Sequence, residues 1–238
     1  MTASEVSIPF HGFERLLQFP LFQGMSQTEL VQVVAHTKFN FVKYDCATRV
    51  IKTGEACHHF HFLTHGQLQL TTAYGHGISV SEQVEAPSIL QPECLFGLPQ
   101  RFRSTFIALT PVNFITLDKN EVLHLCETFR VFQLNLLNMI SAKSQRLLLI
   151  PTLSHPQTLR DHIVNYLVTH CQIPVGEKVF HILMNQLALE VNDSRTDVSR
   201  ELNRMQTEGL ICLSRGRIKV PAIESLSNLK ITAKKAKI

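Results

Sequence analysis

The sequence predicts an α+β protein with an antiparallel β domain first, a long helix next and a small domain of helices and a β-hairpin last. Three observations favour this order. Short apolar segments between glycine turns fill the first half, a stretch without Gly or Pro runs from Val122 to Ile150, and positive charge accumulates behind it. We therefore expect three parts, residues 1–117, 118–150 and 151–238.

The net charge of +4 is unevenly distributed along the 238 residues. Residues 1–150 contain 11 Lys and Arg against 11 Asp and Glu, whereas residues 151–238 contain 12 against 8. Such asymmetry is expected when only one domain binds a polyanion. The C-terminal part is therefore the candidate for contact with nucleic acid.

Composition and motifs exclude several classes of protein. The six cysteines include no Cys-x-x-Cys pair, which argues against a zinc knuckle, an iron–sulfur cluster and a disulfide framework. Neither a signal peptide nor an apolar run of membrane length is evident, so we expect a cytoplasmic protein without membrane contact. No phosphate-binding loop, nucleophile elbow or His-Glu-x-x-His motif occurs, so we expect no enzyme.

The N-terminal part has the pattern of an antiparallel, jelly-roll-like β-roll. Strand-like segments at residues 60–63, 67–70 and 114–117 alternate with glycine turns. Before them, Ser26 and Glu29 have the spacing of a capping box, which predicts a short helix that begins after Ser26.

Apolar residues three and four apart predict a long helix after a second capping box at residues 118–121. One apolar stripe includes Phe132 and Leu136, and Leu134 and Leu137 widen the apolar surface beyond it. The β domain covers only one side, so we expect the same helix of a second subunit to cover the other. The sequence thus predicts a homodimer held by residues 129–149, and predicts that Leu136→Asp weakens it.

The C-terminal part has the pattern of a helix-turn-helix. After a strand at residues 179–182, a short helix at 185–191 is followed by Asn192, which tolerates the left-handed conformation of a tight turn. Ser194 then caps a second helix, with Asp197 bonding back. On that helix the apolar residues face the core, and the polar and basic residues face outward, where a recognition helix enters the major groove.

A β-hairpin follows the second helix, and we call it the wing: two strands around Ser214-Arg215-Gly216-Arg217. Gly216 permits the turn, and the two arginines are placed to contact backbone phosphate. An arginine on the recognition helix can instead bond guanine O6 and N7. The residues predicted to contact double-stranded DNA are Ser194, Arg195, Thr196, Ser199, Arg200, Asn203, Arg215 and Arg217.

These segments resemble the Crp/Fnr family of bacterial transcription regulators. The resemblance covers nearly the whole chain and is carried by the two helices after residue 184, by Gly209-Leu210-Ile211, by the opening segment at 20–26 and by glycine turns at Gly54 and Gly66. It implies a winged helix-turn-helix, a homodimer and contact with RNA polymerase. It also places Arg195, Thr196 and Arg200 at DNA-contacting positions. Thr196 stands where Glu is common, so a different base preference is expected.

The resemblance also implies where a β-roll would hold an effector. The family's cyclic-nucleotide pocket begins with Phe-Gly-Glu and closes with Arg-Ser, which leaves Gly97, Arg103 and Ser104 as candidate effector residues. Leu98 replaces the Glu that accepts the ribose hydroxyl, and Pro99 has no N–H for phosphate. We therefore expect no cyclic AMP and no cofactor.

A histidine-rich strand leaves one alternative open. His59, His61 and His65 would share one face of a strand, where imidazoles can hold zinc, copper or haem iron. No carboxylate partner stands nearby in the sequence, and polar strand residues more often face solvent. The alternative function is a metal, haem or redox sensor that signals through a protein partner.

Overall fold

The structure is a computed structural model that describes residues 15–152 and 158–226. The α+β class and the antiparallel strands are confirmed. The helices are α1 (Gln27–His36), α2 (Lys119–Thr128), α3 (Arg130–Thr152), α4 (Leu159–Thr169), α5 (Met184–Glu190) and α6 (Arg195–Thr207). The strands are β1 (Phe39–Tyr44), β2 (Arg49–Ile51), β3 (His59–His65), β4 (Gln67–Gly75), β5 (Ile78–Glu85), β6 (Ser88–Ile89), β7 (Ser104–Ala108), β8 (Val112–Asp118), β9 (Lys178–His181), β10 (Cys212–Ser214) and β11 (Arg217–Val220).

The chain divides into two compact units. The first contains the described residues up to 69 together with 84–145, and the second contains 70–83 together with the described residues from 146. The division expected from the sequence placed residues 70–83 with the N-terminal β domain. In the structure this hairpin packs with the C-terminal residues instead.

The first unit is built on antiparallel strands. Four of them form a sheet in the order β1-β8-β3-β6, and β2 pairs with β7. Phe60, Phe62 and Phe114 are fully buried in its core. Ser26 and Glu29 form the predicted capping box of α1: the Glu29 amide donates to Ser26 Oγ at 3.3 Å, and the Ser26 amide donates to Glu29 Oε2 at 2.7 Å.

The predicted long helix is two helices, α2 and α3. Phe129 between them has an extended backbone, with φ −118° and ψ 103°, which ends α2. Asp118 caps α2 by accepting from the Asn120 amide at 2.8 Å. The predicted return bond from Glu121 is not made, because that carboxylate accepts from the Lys38 amide instead.

Helix α3 has two different apolar faces, as the width of its apolar surface predicted. Phe132 and Leu136 are buried in the first unit, with the Phe132 ring 5.4 Å from that of Phe22. Leu134 and Leu137 are 46% and 55% exposed. Leu136 therefore faces the core of the first unit, so Leu136→Asp would disturb that core and does not by itself test a dimer contact. Side chains after Arg146 on this helix lie outside the described residues.

The second unit combines the helix-turn-helix with a sheet in the order β10-β11-β9-β5-β4. β5 pairs with β9 in antiparallel register, Val80 opposite Phe180. The buried core of this unit contains Ile78 and Val80 from the hairpin as well as Val198 from α6. No helix in the described parts of the chain is both long and apolar enough to cross a membrane.

Candidate nucleic-acid interface

Helices α5 and α6 form the predicted helix-turn-helix. The turn between them contains Asn192 with φ 53°, the left-handed conformation that an Asn side chain tolerates. Val198, Leu202 and Met205 are fully buried at spacings of four and three, so one face of α6 is anchored in the core.

The opposite face of α6 carries the residues predicted to contact DNA. Arg195, Thr196, Arg200 and Asn203 are exposed, and Ser199 is half-buried. Ser194 caps the helix by accepting from the Asp197 amide at 3.1 Å. The predicted hydrogen bond from the Ser194 amide to the Asp197 carboxylate is replaced by two others. The Asp197 carboxylate accepts from the Ser194 hydroxyl, and the Ser194 amide donates to Asp193.

Arg200 is held in place although its side chain is 75% exposed. Its guanidinium lies 2.7 Å from Asp197 Oδ1, one turn earlier on α6. Such an exposed pair contributes little to stability, but it orients the guanidinium along the outer face of the helix. Asn203 donates to the Ser199 carbonyl at 2.8 Å, which orders the next polar side chain on the same face.

The wing is formed by β10, a turn at Arg215 and Gly216, and β11. Gly216 has φ 68°, and Ser214 pairs with Arg217 across the turn. Both arginines are exposed, whereas Ile218 beside them is buried. The wing thus presents two cationic side chains at one edge of the second unit, and neither forms an ion pair with another described residue. Ile218 and Val220 of β11 are buried and anchor the wing.

Sequence reasoning missed Arg160, which pairs with one carboxylate on α6 and one directly after it. Arg160 on α4 bonds Glu201 at 2.6 Å and Glu208 at 2.7 Å. Its guanidinium lowers the pKa of Glu208. Arg204, exposed four residues after Arg200, was also missed, although the same helical period identifies it. Asp197, Glu201 and Glu208 are thus each paired with an arginine.

The candidate effector residues do not converge. Gly97 is exposed with φ 87°, Leu98 is fully exposed, and residues 95–103 contain no helix. Ser104 is buried, and its Oγ accepts from Gln91 Nε2 at 2.9 Å, whereas Arg103 is exposed. Gly97 and Arg103 therefore lie on the surface, whereas Ser104 lies in the core.

The three histidines of β3 are not gathered into one site. His59 lies 3.7 Å from Asp118, its neighbour across the sheet, a carboxylate that the sequence neighbourhood did not reveal. His61 is packed against Phe102, and burial lowers its pKa to about 4, so it is neutral at pH 7. His65 is exposed beyond a shift in strand register. Among the described residues, no group of three or more His, Cys, Asp or Glu could hold a metal ion.

Comparison with known proteins agrees with this architecture. Residues 41–129 match the cyclic nucleotide-binding domain family. A protein described as a transcriptional regulator of the Crp/Fnr family, from Eubacterium rectale, has a similar structure, with a TM-score of 0.51 and 16% identity over 90% of this chain and 98% of that one. The catabolite activator protein of Thermus thermophilus matches with a TM-score of 0.48 and 17% identity over 90% of this chain and 99% of that one. None of the curated proteins is significantly similar to this sequence.

The described structure is an α+β protein in which a region that matches the cyclic nucleotide-binding domain family precedes a helix-turn-helix unit. In its fold the chain is similar to that Eubacterium rectale protein, as the resemblance in its sequence implied. At such low identity the likeness establishes the fold alone.

Proposed function

We propose that this chain is a homodimeric, sequence-specific DNA-binding transcription regulator. The observation that carries the proposal is the outer face of α6, where Arg195, Thr196 and Arg200 are exposed at the start of a helix whose other face is buried. Residues at this place in a helix-turn-helix reach base edges in the major groove. The wing arginines beside it are the natural contacts for phosphate.

Charge on the described residues supports the same reading. The two carboxylates of α6 are paired with arginine, Asp197 with Arg200 and Glu201 with Arg160. Arg195, Arg215 and Arg217 are exposed and form no ion pair with another described residue. A cationic surface of this kind attracts DNA and gives affinity that falls with salt. As a regulator of transcription, the protein would act in the cytoplasm together with RNA polymerase and would need no enzymatic activity of its own.

Replacing Arg200 with Ala should cost about 1–3 kcal/mol on a selected DNA site and relax preference at one position of each half-site. The reason is the loss of a side chain that can bond guanine. Replacing Arg217 with Ala should instead weaken binding to all sequences alike and lower the salt slope by about one per contact. The measurement is selection from random DNA followed by binding titrations at several salt concentrations.

Each of these two variants is the control for the other, because each removes one exposed arginine, and therefore one positive charge, from the same unit. Equal losses of affinity for selected and random DNA in the Arg200 variant would contradict base readout by α6. A wild-type protein without salt-dependent DNA binding would contradict the proposed function and favour a sensor that acts on a protein partner.

We also propose that the β-roll does not bind cyclic AMP. Leu98 cannot accept a ribose hydroxyl, and Pro99 offers no N–H to phosphate. Titration calorimetry should show no saturable heat at micromolar protein, and the melting temperature should stay unchanged with millimolar nucleotide. Saturable micromolar binding would show that other residues of the β-roll replace these two.

A further inference from the structure

The β4–β5 hairpin and the wing turn at the same edge of the second unit. Arg217, the first residue of β11, pairs with His181, and His181 pairs with Ser79 near the start of β5. Directly paired residues have side chains on the same face of a sheet, so these three form one row across three strands. Because Arg217 directly follows the wing turn and Ser79 follows the turn Gly75–Gly77, both turns lie at the same end of the sheet.

Helix α5 joins the two turns at its start. The Ile182 amide donates to the Gly216 carbonyl of the wing turn at 3.1 Å. Gln186 in the first turn of α5 accepts from the Leu183 amide at 2.9 Å and donates through Nε2 to the His76 carbonyl at the tip of the hairpin. The wing turn, the start of α5 and the hairpin tip therefore form one continuous edge.

This edge has the chemistry of a phosphate-binding surface. Residues 70–81 contain no Asp or Glu, and the carboxylate of Glu82 is buried against Lys178. Gly75, His76 and Gly77 are exposed, so the His76 ring N–H and the backbone of the turn are open to a partner. Hydrogen-bond donors in a segment without Asp or Glu, at the same end of the sheet as Arg215 and Arg217, suit the DNA backbone.

We propose that the turn Gly75–Gly77 is a second wing, which contacts the phosphate backbone of DNA beside the wing with His76 as a donor. This inference rests on the proposed function. It adds a contact from a segment that lies more than 100 residues before the helix-turn-helix in the chain. The contact carries no base preference, because phosphate is the same in every sequence.

Two substitutions of His76 test the second wing. His76 has φ 50°, so His76→Gly removes the donor while keeping a backbone that glycine adopts freely. His76→Glu places a negative charge at the same point. We expect His76→Gly to weaken binding to selected and random DNA roughly threefold, and His76→Glu to weaken both by about tenfold or more.

The matched control is His36→Glu, which makes the same charge change at an exposed histidine of the first unit and should leave affinity within about twofold. Ethylation interference with wild-type and His76→Gly protein should show one phosphate per half-site that matters only to the wild type. A wild type that binds no DNA overturns the proposed function. A wild type that binds DNA, with His76→Gly and His76→Glu unchanged in affinity and interference pattern, overturns the second wing alone.

Discussion

Replacing Leu134 and Leu137 together with Asp should make the protein monomeric. Both leucines are exposed on α3. Together with Ser141, four residues after Leu137, they form a face of the helix opposite to Phe132 and Leu136. A symmetric helix pair would bury four such leucines, each contributing about 1–1.5 kcal/mol beyond its present burial. Their loss, with four carboxylates brought together, should raise the dimer dissociation constant by roughly a thousandfold or more. Light scattering at micromolar concentration measures it.

Leu123→Asp is the matched control for this pair of substitutions. Leu123 is 42% exposed on α2, so it tests the same chemistry on a neighbouring helix, and the variant should remain dimeric. Circular dichroism should show both proteins folded. The monomeric variant should also lose high-affinity binding to two-fold symmetric sites, since each subunit reads one half-site. A monomeric wild type, or a double variant that stays dimeric, would rule out this face as the interface.

Replacing Glu82 with Gln should destabilise the second unit by about 3–5 kcal/mol. Glu82 and Lys178 are opposite each other on β5 and β9, both nearly fully buried, with Lys178 Nζ 3.3 Å from Glu82 Oε1. The carboxylate also accepts the Gln172 and Ile173 amides, each at 2.9 Å. The substitution removes the counter-charge from a buried ammonium, and it replaces one acceptor oxygen with an NH₂ donor that cannot accept from a backbone amide. Urea unfolding followed by tyrosine fluorescence measures the change, because the chain has no Trp and Tyr74 and Tyr166 lie in this unit.

Glu177→Gln provides the control on the same sheet. Glu177 lies 2.8 Å from Lys219, but both side chains are substantially exposed, so its loss should cost less than about 1 kcal/mol. Replacing both buried partners, as Glu82→Leu with Lys178→Met, should recover much of the stability, because no charge is then left unpaired. Equal losses in the Glu82 and Glu177 variants would contradict the role of burial.

Local chemistry determined the elements that the sequence could predict. The capping box at Ser26, the left-handed turn at Asn192 and the glycine turn at Gly216 each depend on residues within a few positions of one another. The apolar spacing of Val198, Leu202 and Met205 identified the buried face of α6, and with it the outward positions of Arg195, Thr196 and Arg200. Helical period and cap chemistry thus determined the candidate DNA-binding face.

Contacts between residues far apart in the sequence determined the features that the sequence could not predict. Leu134 and Leu136 are both leucines of one apolar helix, and only the packing of Leu136 inside the first unit shows that Leu134 is on the free face. Pairing of β3 with β8 brings His59 next to Asp118, a carboxylate 59 positions later in the sequence. The hairpin of residues 70–83 has the pattern of a β-roll strand pair, yet β5 pairs with β9 and buries Glu82 against Lys178. A strand's pattern specifies its buried face but not its neighbour, so the tertiary structure alone placed this hairpin beside the wing.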